Sequence, residues 1–375
     1  MRLYLHIPFC LRKCPYCDFA SFSADGRLRS VYLEALLREI RLHQGPEAGK
    51  EPLRSLYIGG GTPSLYGPRE LARLVEGAEA VWGLAPGAEV SVEVNPATWG
   101  EEEWGSLVDA GFNRVSIGVQ SFDRLTLRRL GRPHGAEEAR AAAETALAQE
   151  GLQVNLDLMY GVPGQAMQAW KETLEEALSL APHHLSLYLL TPEPSTPLEE
   201  DIRAGRVECP GEDDVAAMYE EACLMLAAGG YRHYEISNFA MPGFECRHNR
   251  AYWRREAYLG LGLAAHSFRP PDLRWSNTRD MRVYLEDLGG GRLPRREEER
   301  LTPGEVAYQE AMLSLRTSEG MPLPALPGRD GGEEVMAFLR ALEAGGLAWS
   351  GKGRWGLTER GMFVSNLILA DLPIG

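Results

Sequence analysis

Six short runs rich in β-branched, aromatic and aliphatic residues recur through the first half of the chain, at 2–9, 55–62, 89–96, 114–121, 153–161 and 184–190. Helical segments lie between them, such as "SVYLEALLREIRLH" at 30–43 and "AEEARAAAETALAQEG" at 136–151, the latter closed by a glycine suited to a helix end. No other feature restricts the fold as much. Strands alternating with helices form a parallel sheet with right-handed crossovers. Six units are too few to close an eight-stranded barrel, which leaves an open doubly wound sheet or a partial barrel.

The chemistry-bearing residues choose between these. Gly59, Gly60 and Gly61 follow the second run, Glu93 lies in the third, Gln120 ends the fourth and Asp157 lies in the fifth. Barrels build their sites from the ends of several strands. The expectation is an α/β fold with a partial (β/α)6, TIM-like barrel over 1–200. A Pro-rich stretch, a helix over 213–230 and a strand within 234–240 form an extension over 201–290. A charged connector, 289–305, leads to a third unit, 291–375, whose helices and terminal hairpin at 346–358 suggest a small α+β, winged-helix-like domain.

The formal net charge of −14 argues against nucleic acid, which requires a basic face, and the hairpin tip offers only Lys352 and Arg354. No apolar run approaches the roughly 20 residues of a membrane span. The start "MRLYLHIPF" has a short apolar run and no small-residue cleavage site, so the expected location is the cytoplasm.

Cys10, Cys14 and Cys17 form C-x3-C-x2-C directly after the first strand, while Cys209, Cys223 and Cys246 are scattered. In a reducing compartment such a cluster reads as a metal or redox site. Zinc ligands usually come as two separated pairs, and no second pair follows. A [4Fe–4S] cubane fits better: one loop can wrap three thiolates onto three irons and leave the fourth open to a chelating small molecule.

With that loop in place, the chain resembles the radical S-adenosylmethionine (SAM) superfamily. "YLHIPFC", "GGGTPS", "GVQSF" and "HNRAYW" narrow the resemblance to haem chaperones related to oxygen-independent coproporphyrinogen III dehydrogenase. The resemblance implies SAM bound beside the cluster and cleaved reductively. It places SAM against Gly60, Gly61 and Thr62, with Glu93 on the ribose diol and Tyr4 and Tyr16 flanking nucleoside and cluster. Gln120, Arg132 and Asp157 match positions that touch a second SAM in the decarboxylating relatives. His134 is read as a loop residue.

Those relatives carry a further cysteine where this chain has Phe19, which points to the chaperone branch. His248, Tyr252 and Trp253 form H-N-x-x-Y-W, by resemblance a haem-binding signature, with Cys246 and His266 as further candidate ligands. Arg247, Arg250, Arg254 and Arg255 lie in an acid-free stretch and suit haem propionates. The segment is expected to lie near the SAM site. The resemblance implies haem as cargo and apo-haemoproteins as acceptors, respiratory-chain components among them, with transient contact to membrane proteins. The competing expectations are a coproporphyrinogen III dehydrogenase and another radical SAM enzyme such as a methyltransferase.

Overall fold

A computed structural model describes residues 1–45, 51–294, 296–322 and 331–374. Six parallel strands, β1 (Arg2–Ile7), β2 (Leu53–Gly60), β3 (Leu84–Val94), β4 (Arg114–Gln120), β5 (Gln153–Tyr160) and β6 (His184–Leu189), lie side by side in chain order. They are the six runs read from the sequence. Successive side chains alternate faces. Leu3, Leu5, Ile7, Leu56, Ile58, Val92, Val115, Ile117 and Leu156 point outward and are fully buried beneath the crossover helices. The opposite face is polar. Register places Tyr4 beside Tyr57, Tyr57 beside Ser91, Glu93 beside Ser116, and Asp157 beside Ser186. The concave side of the arc is therefore a lumen lined with hydroxyls, carboxyls and imidazoles.

Both edges are extended. The sequence suggested one strand in 234–240; the structure has a hairpin, β7 (Arg232–Glu235) and β8 (Asn238–Ala240), paired antiparallel to β6 through β8. On the other side β9 (Tyr258–Leu261) runs parallel to β1, followed by antiparallel β10 (His266–Arg269), β11 (Leu273–Asn277) and β12 (Arg296–Arg300). The last strand corrects the domain boundary. "REEER" lies within the charged connector, yet it pairs with β11 and ends the twelve-stranded sheet, so a cut at 290/291 would divide that sheet. Charge on an edge strand blunts pairing with other chains.

A second core begins after this point. It gathers Leu315, Met321, Val335, Leu339, Ala348, Trp355, Leu357, Met362 and Ile368 from the helices Pro303–Leu315, Gly331–Ala344, Glu359–Phe363 and Ser365–Ala370 and the strands β13 (Met321–Pro322), β14 (Ala348–Gly351) and β15 (Arg354–Leu357). Lys352 and Gly353, both at positive φ, turn the β14–β15 hairpin. Helix, strand, helix and hairpin follow the winged-helix order. Arg354 at the tip folds back onto the carbonyls of Glu319 and Gly320, each at 2.6 Å. Among the described residues no helix is long and apolar enough to cross a membrane.

Candidate functional site

A cavity of about 480 Å3 opens at the C-terminal ends of the parallel strands. Its wall includes Cys10, Cys14, Tyr16, Cys17, Gly60, Gly61, Thr62, Glu93, Gln120, Arg132 and Asp157. Eleven residues singled out from the sequence are thus brought together from four strands and three loops.

The cysteine loop is held at its base. Cys10 N–H donates to Phe22 O (3.1 Å), Phe22 N–H returns to Pro8 O (2.9 Å), and the Phe9 and Phe22 rings meet edge to face. His6 secures the far limb through Nε2 and Ala20 O at 3.2 Å, a function the sequence did not signal. At Gly61 a Cβ would lie 2.5 Å from Phe9 O and 3.0 Å from Cys10 Sγ, so only glycine lets this turn approach the loop. The amides of Gly60 and Gly61 are not free for a ligand. Gly61 N–H donates to Ile7 O (2.8 Å) and Gly60 N–H to Glu93 Oε2 (2.9 Å).

Glu93 also accepts from Tyr57 Oη at 3.0 Å, and burial pushes its carboxyl up to about 7, with the nearby Asp157 adding to the shift. Asp157 is pushed up to about 6, again by burial, against hydrogen bonds from Ser116 (3.1 Å) and Asn155 (2.8 Å). Ser116 and Asn155 were missed by the sequence reading, although strand period 2 places both on the face of Glu93. Gln120 adopts φ 68° where the β4–β5 register shifts, a bulge that re-aims its side chain. Arg132 donates to Gly118 O (3.0 Å) and towards Cys14 Sγ (3.6 Å), and its buried Nε has no partner. His134 is no idle loop residue. It is 3 % exposed and ties Val119 O (3.0 Å) to Asn95 Oδ1 (3.3 Å).

The donor set fits a cubane better than a single ion. All three thiols come from one short loop on the cavity wall, and the described residues of that wall add no other cysteine or histidine. The wall carries four carboxylates, Asp18, Glu93, Asp157 and Glu193, against Arg12 and Arg132, which favours a cationic ligand such as a sulfonium.

Tyr4 does not reach this wall. It faces the lumen below it, with Oη 2.9 Å from His6 Nδ1 and its ring stacked on Tyr57. The H-N-x-x-Y-W segment lies further still, at the opposite end of the strands. The helix Arg247–Trp253 closes the lumen beneath the first residues of β2 and β3. Buried Glu89, midway along β3, accepts from the amides of Arg247 (3.0 Å) and His248 (2.9 Å) and pairs with buried Arg114. His248 is 1 % exposed, with Nδ1 bonded to Ser55 Oγ and Nε2 to Tyr252 Oη, both at 2.8 Å. Burial pushes its pKa down to about 3. Both ring nitrogens are spent, so neither is presented to iron. Tyr252 packs between the His248 and Tyr258 rings, and Trp253 bonds to buried Glu235. The i, i+4 spacing was correct but its face points into the lumen. Three of the four arginines have carboxylate partners in the C-terminal module, Arg250 and Arg254 on Glu319 and Arg255 on Glu310, while half-exposed Arg247 lies 3.8 Å from Glu89. Cys246 caps the helix, and His266 lies on β10 away from the cavity wall.

Comparison with known proteins agrees with this architecture. Residues 4–177 match the radical SAM superfamily. The chain is 36 % identical over 373 residues to the "Heme chaperone HemW" of Mycobacterium tuberculosis (strain ATCC 25618 / H37Rv), covering 99 % of this chain and 94 % of that one. It is 39 % identical over 292 residues to that of Escherichia coli (strain K12), covering 76 % of each. The solved coproporphyrinogen III oxidase (HemN) from Escherichia coli shares the fold, with a TM-score of 0.82 at 24 % identity over 98 % of this chain and 89 % of that one. The alternating strands, the cysteine loop at their ends and this extended likeness together place the chain in the haem chaperone HemW family of the radical SAM superfamily.

Proposed function

We propose that this chain binds haem as cargo and passes it to acceptor haemoproteins, using a [4Fe–4S] cluster and SAM held at the mouth of the barrel. The observation that carries the reading is the full-length likeness to proteins named haem chaperones. Cys10, Cys14 and Cys17 would hold the cluster, and Glu93, Asp157 and Gln120 would receive SAM. When bound, this pair supplies one-electron reduction of a sulfonium. The chain's own residues bind and orient: the buried carboxyls face a cationic ligand, His6 fixes the loop, and Arg132 approaches Cys14.

Leu11, Phe19, Tyr188 and Leu189 stand exposed around the same cavity, with Phe19 61 % exposed. An apolar rim of this kind marks a contact surface, and a flat macrocycle could cover it. The rim supports placing the cargo at the mouth rather than at the floor, where His248 is fully engaged. All six cysteines are free thiols, which supports action in a reducing compartment such as the cytoplasm. The acceptors fitting the reading are apo-haemoproteins, including those of respiratory chains.

The test is anaerobic titration of cluster-loaded protein with haem, then mixing with an apo-haemoprotein and, separately, with coproporphyrinogen III. One haem per chain, transferred on mixing, with coproporphyrinogen III returned intact, is the expected outcome. Absence of haem binding, or decarboxylation of the porphyrinogen, would overturn the reading in favour of a dehydrogenase.

A further inference from the structure

A second group of metal-type donors lies where the C-terminal module meets the barrel, on residues apart from the cluster loop. Cys223 lies on the helix Glu212–Ala228, His233 on β7, and Glu359 opens the helix Glu359–Phe363 of the C-terminal module. The Cys223 sulfur, a His233 ring nitrogen and a Glu359 carboxylate oxygen all lie within 4.8 Å of one another. Ligands around a tetrahedral zinc sit roughly 3.5 Å apart, as bond lengths of about 2.0–2.3 Å dictate. The exposed, flexible Glu359 side chain can close that difference.

The imidazole is already prepared. Its ring lies parallel to Phe239, 4.1 Å between centroids, which fixes its orientation. Nε2 contacts Ile236 O at 3.3 Å and so carries the proton, leaving a lone pair on Nδ1. Nδ1 is buried and has no hydrogen-bond partner. A histidine that donates one N–H to a backbone carbonyl while the other nitrogen faces inward bare is the arrangement of a metal ligand. Burial pushes this ring down to about 4, so it is neutral at pH 7.

Two buried neighbours stand beside it. Tyr219, one turn before Cys223, is 5 % exposed, and its hydroxyl is engaged with the Cys223 thiol. Cys223 is 3 % exposed, and burial pushes its thiol up to about 12. Unpartnered buried polar groups are costly and rare in folded proteins. A cation here would satisfy Nδ1 and take the neighbouring sulfur as its thiolate.

We propose that Cys223 Sγ, His233 Nδ1 and the Glu359 carboxylate bind one divalent ion of the zinc class, with the fourth position filled by water or the Tyr219 hydroxyl, fastening the C-terminal module to the barrel. Thiolate with imidazole selects zinc over magnesium or calcium, which take oxygen ligands. Binding deprotonates Cys223 and releases one proton to solvent, so affinity rises with pH.

The test uses protein whose cysteine loop has been filled with iron and sulfide, so that zinc cannot occupy it. After equilibration with zinc and removal of loose metal, elemental analysis should give one zinc per chain in addition to the cluster iron. Glu359→Ala, a surface change that leaves the core intact, should weaken zinc binding at least about tenfold. Cys223→Ser should abolish the near-ultraviolet thiolate absorption seen on replacing zinc by cobalt. Cys14→Ser should lose iron and keep zinc. Failure of the wild-type protein to retain zinc, or equal retention by Glu359→Ala and Cys223→Ser, would overturn the site. If Cys223→Ser does not fold, Glu359→Ala alone decides. Loss of haem binding in the earlier titration leaves this result unaffected.

Discussion

Glu93 and Asp157 are buried carboxyls within electrostatic reach of each other, and burial raises both, to about 7 and about 6. Each holds its proton more tightly in the folded chain than in the unfolded one. The folded state therefore binds more protons between about pH 4 and 7, and stability falls as pH rises through that window. For Glu93 the loss is on the order of 2 kcal/mol when no ligand neutralises the site. In Glu93→Gln, without SAM, the difference between urea-unfolding free energies at pH 5 and pH 8 should shrink by that amount. The same variant should bind SAM at least about tenfold more weakly, because an amide loses the acceptor and charge of the carboxylate. A pH slope equal to wild type would place the titrating group elsewhere, with buried Glu39, also near 7, the next to examine. Glu93 and Asp157 were legible because strand-end acids on a parallel sheet have few purposes. His134 was not, since a histidine in a loop carries no local sign of the strand carbonyl it will meet.

At the scale of elements, the six parallel strands were readable because each combines a periodic run with turn residues, whereas β12 was not. "REEER" has no apolar face, and its pairing is dictated by the edge of β11 rather than by its own composition. The helix Arg247–Trp253 shows a different limit: i, i+4 spacing fixes which residues share a face but not where that face points. Here it points inward, and His248 joins a run of rings from Tyr4 through Tyr57 to Tyr252 and Tyr258. His248→Ala would leave Ser55 Oγ and Tyr252 Oη unpartnered around a cavity, costing roughly 3 kcal/mol. The expected outcome is a lower unfolding midpoint with an unchanged absorption spectrum of bound haem. A changed spectrum at wild-type stability would instead make His248 an axial ligand, and would require the floor of the barrel to open.

For the whole molecule, the arginines flanking that helix act between domains. Arg250 and Arg254 share Glu319, and the chain around it is stitched to the β7–β8 hairpin by Ile236 N–H to Arg316 O and Ser318 N–H to Tyr234 O, each 3.0 Å. These ion pairs are partly exposed, so each contributes about 1 kcal/mol or less and is screened by salt. Reversing the charge has a larger effect than removing it, because two guanidiniums then face a third cation. In Glu319→Lys the amides of Ile236 and Ser318 should exchange hydrogen on the order of tenfold faster than in wild type, while amides at the centre of β1–β6 keep their protection. High salt should move wild type part of the way towards the variant. Faster exchange throughout β1–β6 would mean that the barrel and its C-terminal module open as one unit. Exchange unchanged at Ile236 and Ser318 would show that apolar contacts such as Tyr219 on Phe363, and not the arginines, hold the junction.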